Sequence, residues 1–328
     1  MARTEELSIR AGEATLAGTL TLPDAPPPPD RRGRHPAVLL LPSWLPRDRD
    51  GGWDRGAHPA WFAPRLESGA GLLARIAAAL AGHGVATLRC DPRGCGASDG
   101  AWEATSLFTK IDDARDMLAA MRSHGSLDLR RTGIVGHGEG ATLAMSVAIG
   151  DPAVGALTLI GPPARSWRDV LRRGVAERAR TGIDRRHPVV RALDRWSEEM
   201  IERAERREAS MELPVSGADP VVLDLAAVEQ AIHTPPLALA SMLHRSLALA
   251  HGAEDAWADP DESALLEAVL IEGGNRPSRQ VVAESGHDLV QAGDELIGEM
   301  AADLASRLVP VELPPVLVAI EEMGDGVG

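Results

Sequence analysis

The stretch Gly133-Ile134-Val135-Gly136-His137-Gly138-Glu139-Gly140 decides the fold. It begins as a short apolar strand, breaks at a glycine-rich turn and continues into an Ala-rich helix. Small residues at Gly136 and Gly140 allow a strand and the following helix to approach closely. The middle residue of such a turn is exposed above the sheet, and here it is Gly138, which has no side chain. The stretch therefore predicts an α/β fold in which the central position of this turn carries no functional group.

Hydrophobic patterning along the rest of the chain predicts alternating strands and helices. Residues 7–22 alternate apolar and polar side chains, which predicts a β-hairpin at the sheet edge. A continuous apolar run, typical of a strand buried on both faces of a sheet, occurs at residues 35–42, and further strands are predicted at residues 84–90, 153–160, 246–250 and 280–283. Helical periodicity is found at residues 71–82, 110–124 and 295–308. This alternation predicts βαβ units and a mostly parallel central sheet with helices on both faces.

The pattern changes after Gly161. Residues 162–244 contain Arg- and Glu-rich helical segments, at about 167–180 and 189–207, with no predicted strand between them. We interpret residues 162–244 as a helical cap inserted into a core of residues 1–161 and 245–310, above the carboxyl edge of the sheet where ligands of such folds bind. A solvated helical excursion with no ligand role is the alternative. Residues 311–328 are predicted to form a C-terminal tail.

Composition limits the classes of function. The chain has 328 residues, 44% of them hydrophobic, so it can bury a large core. Its net charge of −14 argues against nucleic-acid or anionic-membrane partners, which require a basic face. Cys90 and Cys95 provide neither a disulfide framework nor a metal site, and the first residues lack the apolar region of a signal peptide. We expect a cytoplasmic protein with a small-molecule substrate or ligand and no metal or cofactor. The sequence leaves open whether the protein forms a homodimer.

Three motifs are shared with a known family. They are Pro-x-Asp-Arg-Asp-Gly at 46–51, Asp-x-Arg-Gly-x-Gly-x-Ser-x-Gly at 91–100 and Gly-His-x-Glu-Gly at 136–140. In these motifs, and over residues 7–308, the chain resembles the α/β-hydrolases, close to bacterial S33-type peptidases and dienelactone-hydrolase-like esterases. The resemblance implies the α/β-hydrolase fold.

The resemblance also implies a catalytic acid and a catalytic histidine. The acid after the seventh strand falls on Asp255 and the histidine after the eighth on His287, in the chain order that this fold requires. Asp255 would fix the tautomer of His287, whose other nitrogen could then act as a general base. The backbone N–H of Glu139 is the expected oxyanion donor. His137, Ser43 and Trp44 are also expected at the pocket.

Two positions depart from the pattern of the family. Its nucleophile elbow commonly reads Gly-His-Ser-Glu-Gly, so Gly138 stands at the nucleophile position. After the third strand, where the family has small glycine-type residues, this chain has Ser43-Trp44-Leu45, whose bulk predicts a narrowed or redirected oxyanion hole. Both departures predict a protein that forms no acyl-enzyme.

The sequence also contains alternative nucleophile candidates and several tryptophans whose roles it does not fix. Cys95 is a candidate substitute nucleophile, but it follows the fourth strand, which the third separates from the elbow strand. Ser43 and Ser285 are further candidates with no specific support. Four tryptophans could line an apolar pocket or pack in the core or cap, namely Trp44, Trp53, Trp61 and Trp102.

Three functions are open at this point. In the first, Asp255 and His287 activate water or abstract a substrate proton, which allows hydrolysis, elimination or cyclisation of a small, largely apolar molecule without a covalent intermediate. In the second, the protein is a non-catalytic ligand-binding module. In the third, serine is native at position 138 and the chain is an inactive variant of an ordinary esterase or peptidase. An engineered change at Gly138 would leave Ser43-Trp44-Leu45 unexplained, which argues against the third function. Of the two functions in which Gly138 is native, we favour the first.

Overall fold

The computed structural model describes residues 2–27, 33–54, 71–182, 188–214, 219–313 and 317–318. The strands are β1 (Arg3–Ala11), β2 (Ala14–Leu22), β3 (His35–Leu41), β4 (Ala86–Cys90), β5 (Leu127–His137), β6 (Val154–Ile160), β7 (Ser210–Leu213), β8 (Val221–Asp224), β9 (Ser246–Gly252) and β10 (Ser278–Val282). The helices are α1 (Leu72–Gly82), α2 (Leu107–Arg122), α3 (Glu139–Gly150), α4 (Trp167–Thr181), α5 (Pro188–Glu205), α6 (Leu225–His233), α7 (Pro236–Ala240), α8 (Asp261–Glu272) and α9 (Asp294–Arg307).

Eight of these strands form one sheet, in the order β1-β2-β4-β3-β5-β6-β9-β10. β1 pairs antiparallel with β2, and β2 pairs antiparallel with β4. All other neighbours in the sheet are parallel. The predicted edge hairpin and the mostly parallel sheet are therefore confirmed.

The residues of β3 explain why a continuous apolar run forms a central strand. Successive side chains of a strand point to opposite faces of the sheet. Leu39 and Leu41 lie in the core beneath α2 and α3, whereas Val38 and Leu40 lie in the core beneath α1 and α9. Because helices cover both faces, every position of this strand is buried.

The connection from β5 to α3 has glycine at two points where a side chain would be strained or would collide with the backbone. Gly138 has a φ of 54° and a ψ of −118°, a conformation that residues with a side chain rarely adopt. A Cβ atom on Gly140 would lie 2.5 Å from the carbonyl oxygen of Leu41 and 2.6 Å from that of Pro42. The start of α3 therefore packs directly against the end of β3, and this contact brings the loop that follows β3 next to Gly138.

The segment between β6 and β9 contains α4 to α7 and a small antiparallel sheet of β7 and β8. The two predicted helical segments correspond to α4 and α5, but the sequence did not predict the two strands that follow α5. Met211 and Leu213 of β7 are buried and alternate with exposed residues, but four residues are too few to stand out among charged helical segments. These strands pack with apolar residues of α5 and α6 in a core separate from those of the main sheet.

Two further features complete the fold. Leu313, beyond α9, is buried beside Leu129 and Ala153, and most of the predicted tail lies outside the described residues, as does Trp61. Within the described part of the chain, no helix is long and apolar enough to cross a membrane.

Candidate active site

Three loops at the carboxyl edge of the sheet bring together Ser43, Asp255 and His287. They follow β3, β9 and β10 respectively. The Nδ1 atom of His287 donates to Oδ2 of Asp255 over 2.8 Å, so Nε2 carries the free lone pair. That Nε2 accepts a hydrogen bond from Oγ of Ser43 over 2.9 Å. The side chains thus form one continuous hydrogen-bonded chain from a hydroxyl to an imidazole to a carboxylate.

Asp255 is held in its ionised form. Its Oδ1 accepts backbone N–H groups from Trp257 and Ala258, over 2.8 Å and 3.0 Å. Burial raises the pKa of Asp255, but the neighbouring His287 and His251 and their hydrogen bonds outweigh it, so the pKa lies below its usual range. A charged, immobile carboxylate fixes the ring orientation of His287 and favours its protonated form.

His287 is a stronger base than a free imidazole. Burial lowers its pKa, but the adjacent carboxylate of Asp255 has the larger combined effect, and the pKa is raised above its ordinary value. The ring also lines the cleft described below. His287 can therefore take a proton from a group in the cleft and hold it as an imidazolium.

His137 holds His287 in position through a hydrogen bond and ring packing. Its Nε2 donates to the carbonyl oxygen of His287 over 2.9 Å, and the two rings are 4.5 Å apart between centroids. Burial lowers the pKa of His137 to about 3, so this ring is neutral. The expectation that His137 lies at the pocket needs correction, because the described residues that line the cleft do not include it.

A buried ion pair ties the loop after β3 to the loop that carries His287. Arg47 Nη2 lies 3.0 Å from Oδ1 of Asp288, and the Arg47 guanidinium stacks on the Trp53 ring at 4.0 Å. Sequence reasoning missed this pair. The signal was present, since Arg47 is the unspecified position of the motif at 46–51 and Asp288 directly follows the predicted histidine.

The side chain of Ser43 occupies the space above Gly138. A Cβ atom built on Gly138 would lie 2.1 Å from Oγ of Ser43 and 2.8 Å from Nε2 of His287. The sequence predicted only that Ser43-Trp44-Leu45 would obstruct this region. Instead, its first residue directs a hydroxyl to the point where the side chain of an elbow residue would begin.

The cleft beside these residues has an empty volume of about 790 Å³, including its open mouth. Most of its walls are apolar, formed by Trp44, Leu45, Leu107, Pro163, Trp167, Val170, Leu171, Ala231, Pro236 and Trp257. Gly138 and Glu139 line it near Ser43 and His287.

The charged residues of the cleft are neutralised by partners. They form the ion pairs Arg47–Asp288, Glu139–Lys110, Arg165–Glu262 and Arg178–Asp194. Charges that are already paired contribute little net field to the cleft. No group of three or more metal-ligating side chains occurs in the described ranges.

Comparison with known proteins identifies the family. The profile described as serine aminopeptidase, S33, matches residues 61–291 of this chain. The chain belongs to the S33 serine aminopeptidase family. Its order of strands is accordingly that of an α/β-hydrolase, which confirms the predicted fold class. No curated protein sequence matches the chain.

Solved structures similar to this S33 family member share its fold at low sequence identity. Est1E from Butyrivibrio proteoclasticus with bound ferulic acid is 14% identical, with a TM-score of 0.61 over 92% of this chain and 99% of its own. DcsB in complex with a substrate analogue is 14% identical, with a TM-score of 0.63 over 94% and 100%. An esterase of Pyrococcus furiosus is 14% identical, with a TM-score of 0.61 over 93% and 91%.

Two other nucleophile candidates of this S33 chain lie away from the cleft. Cys95 is buried beside Leu45 and Trp102, and burial raises its pKa to about 12, so the thiol stays protonated at neutral pH. Ser285 is fully buried and is not among the described residues that line the cleft. Neither residue is placed to attack a molecule in the cleft.

The tryptophans that the sequence assigned either to the pocket or to core and cap packing have different positions. Trp44 lines the cleft and packs against Trp102 and Trp167, with ring centroids 5.9 Å and 4.7 Å away. Trp53 stacks on Arg47 instead. Trp167 and Trp257 line the cleft but were not predicted there. For Trp167, the sequence alone did not show which face of the segment between β6 and β9 meets the sheet edge, whereas Trp257 lies in the loop after β9, two residues beyond Asp255.

Proposed function

We propose that the protein hydrolyses a carboxylic-ester-type bond in a neutral, largely apolar small molecule, with His287 as general base and Asp255 as the residue that orients it. The observation that carries this proposal is the 2.8 Å hydrogen bond between His287 Nδ1 and Asp255 Oδ2, which leaves Nε2 facing the cleft. Membership of a family of serine hydrolases supports it. The choice of an ester bond is supported by the similar structures, which include an esterase.

The chemistry follows from the tautomer. Nε2 of His287 removes the proton of an attacking hydroxyl while that oxygen bonds to the carbonyl carbon, and Asp255 stabilises the imidazolium that forms. This base step is the same for a water molecule and for a side-chain hydroxyl, so the proposal does not depend on which of them attacks.

The negative charge that develops on the carbonyl oxygen needs a donor. The N–H of Gly138 is committed to the carbonyl oxygen of Ile160 over 2.8 Å. Glu139 is the first residue of α3, so its N–H has no acceptor within the helix. It lies at the N-terminus of the helix, where the helix dipole is positive. We assign the oxyanion to the N–H of Glu139.

The cleft favours uncharged substrates. Its charged side chains are already in ion pairs, and its walls are mainly aromatic and aliphatic. A substrate carboxylate or ammonium would lose its hydration here without gaining a free counter-charge from those residues. A neutral acyl group with an aliphatic or aromatic chain fits these walls.

We further propose that residues 162–244 act as a cap over this cleft. Trp167, Val170 and Leu171 of α4 supply one wall, and Ala231 of α6 and Pro236 of α7 supply another. A segment that contributes apolar walls on two sides is suited to selecting the acyl chain and excluding water.

The experiment is a hydrolysis assay with p-nitrophenyl esters of increasing acyl length, together with an ester that carries a terminal carboxylate. We expect turnover of the neutral esters in preference to the charged one. His287→Ala should reduce the rate about 100- to 10,000-fold, and Asp255→Asn should also reduce it through the tautomer. His233→Ala, at an exposed position on α6, is the matched control.

Two outcomes would overturn the proposal. Hydrolysis that is indifferent to both His287→Ala and Asp255→Asn would place the chemistry elsewhere. Binding of the esters without any turnover would favour a non-catalytic ligand-binding protein.

A further inference from the structure

We propose that Ser43, in the loop after β3, is the nucleophile of this protein, in place of a residue on the turn between β5 and α3. The inference rests on the proposed function, because it needs His287 as the base. It adds a covalent acyl-enzyme to that function, in place of the sequence-based expectation that none forms, and assigns it to a residue outside the elbow.

The first argument is position. Oγ of Ser43 lies 2.9 Å from Nε2 of His287 and 2.1 Å from the point where a Cβ on Gly138 would stand. The Ser43 hydroxyl therefore contacts Nε2 of His287 in the same way as the hydroxyl of a serine on the elbow would, although it belongs to the loop after a different strand. The absent side chain at Gly138 is what makes room for it.

The second argument is competition with water. The Nε2 lone pair of His287 already accepts the hydrogen bond of Ser43. A water molecule could reach this lone pair only by displacing the serine hydroxyl. The first proton that His287 can take is therefore that of Ser43, which makes the serine oxygen the activated one.

The third argument is that Ser43 is held in place. The end of β3 is packed against Gly140, whose Cβ would lie 2.5 Å from the Leu41 carbonyl oxygen. On the other side, Trp44 is packed between Trp102 and Trp167. Ser43 nevertheless lines the cleft, so a rigid loop presents its hydroxyl to the substrate.

The reaction then balances in two halves. Oγ of Ser43 bonds to the acyl carbon while its proton passes to Nε2 of His287, and the carbon–oxygen bond to the alcohol breaks as that alcohol takes the proton. Water then adds to the acyl carbon and gives a proton to His287. The bond to Ser43 breaks, Oγ recovers the proton, and the free acid leaves.

The test is labelling with a fluorophosphonate probe, read by intact mass and peptide mapping, alongside ester hydrolysis. We expect one adduct per chain on Ser43. In Ser43→Ala the adduct should disappear and hydrolysis should fall by at least about 1,000-fold. Ser285→Ala, a change at a buried serine outside the cleft, should retain both. Circular dichroism and a thermal melt establish that each variant is folded.

The possible failures are distinguishable. If Ser43→Ala hydrolyses the ester as fast as the parent while His287→Ala does not, water is the nucleophile; the inference about Ser43 is overturned and the proposed function stands. An adduct that maps to another residue also overturns it. If neither variant changes hydrolysis, the proposed function fails as well.

Discussion

The change Gly138→Ala tests whether Ser43 and Gly138 share one space. The backbone at Gly138 has a φ of 54°, and a side chain there costs about 1–3 kcal/mol of strain. The lower entropy of the unfolded chain offsets about 0.4–1 kcal/mol of this cost. The new methyl group would lie 2.1 Å from Oγ of Ser43, so that hydroxyl must rotate away and lose its bond to His287, which adds about 1 kcal/mol.

The expected net loss is about 2 kcal/mol, measured by urea unfolding followed by tryptophan fluorescence, with a fall in melting temperature of about 3 °C. Ester hydrolysis should fall with it, because the hydrogen bond between Ser43 and His287 is broken. Gly84→Ala is the matched control, since Gly84 has a φ of 75° and nothing within 4 Å of its Cβ position. The reasoning is refuted if Gly138→Ala costs no more than Gly84→Ala and leaves hydrolysis unchanged.

Two predictions concern pH. His287 acts as a base only when it is deprotonated, and its pKa is raised above 6.5, so kcat/KM should rise with pH and reach half its plateau above pH 6.5. Asp255→Asn should lower the pH of this midpoint, and a midpoint that Asp255→Asn leaves unchanged would contradict the assignment. The pKa of His137 is about 3 in the folded protein and 6.5 in the unfolded chain. Between these values the unfolded state binds more protons, so the free energy of unfolding falls by about 1.4 kcal/mol for each unit by which the pH is lowered. His137→Gln should flatten this slope between pH 6.5 and 4.5 in urea titrations, whereas His244→Gln at an exposed position should not; an unchanged slope in His137→Gln would assign the acid sensitivity to other groups.

Much of the fold was predictable from local sequence. The apolar run of β3 and the glycine-rich turn after β5 specify their structures through side-chain burial and backbone freedom, which are local properties. The short strands β7 and β8 were missed because four residues carry too little periodicity, and their burial depends on α5 and α6, which are distant in the chain.

The candidate site was predictable only where a motif fixed a residue to a strand end. Asp255 and His287 follow β9 and β10, and the structure brings them within 2.8 Å, although their catalytic role stays a prediction. The contact of Ser43 with His287 could not be predicted, because it depends on how closely Gly140 approaches the end of β3. The sequence signal for this contact was a pair of departures from the family pattern, the loss of a side chain at Gly138 and the gain of a hydroxyl at Ser43.

The most direct test of the account exchanges these two residues. Ser43→Gly alone should abolish ester hydrolysis, and Gly138→Ser alone should impair it, because the two side chains cannot share the space. The double variant Ser43→Gly/Gly138→Ser returns one hydroxyl to the same place from the other strand, beside an unchanged His287. We predict that it hydrolyses the ester faster than either single variant. A double variant no faster than Ser43→Gly, or a Ser43→Gly variant as fast as the parent, would contradict the account.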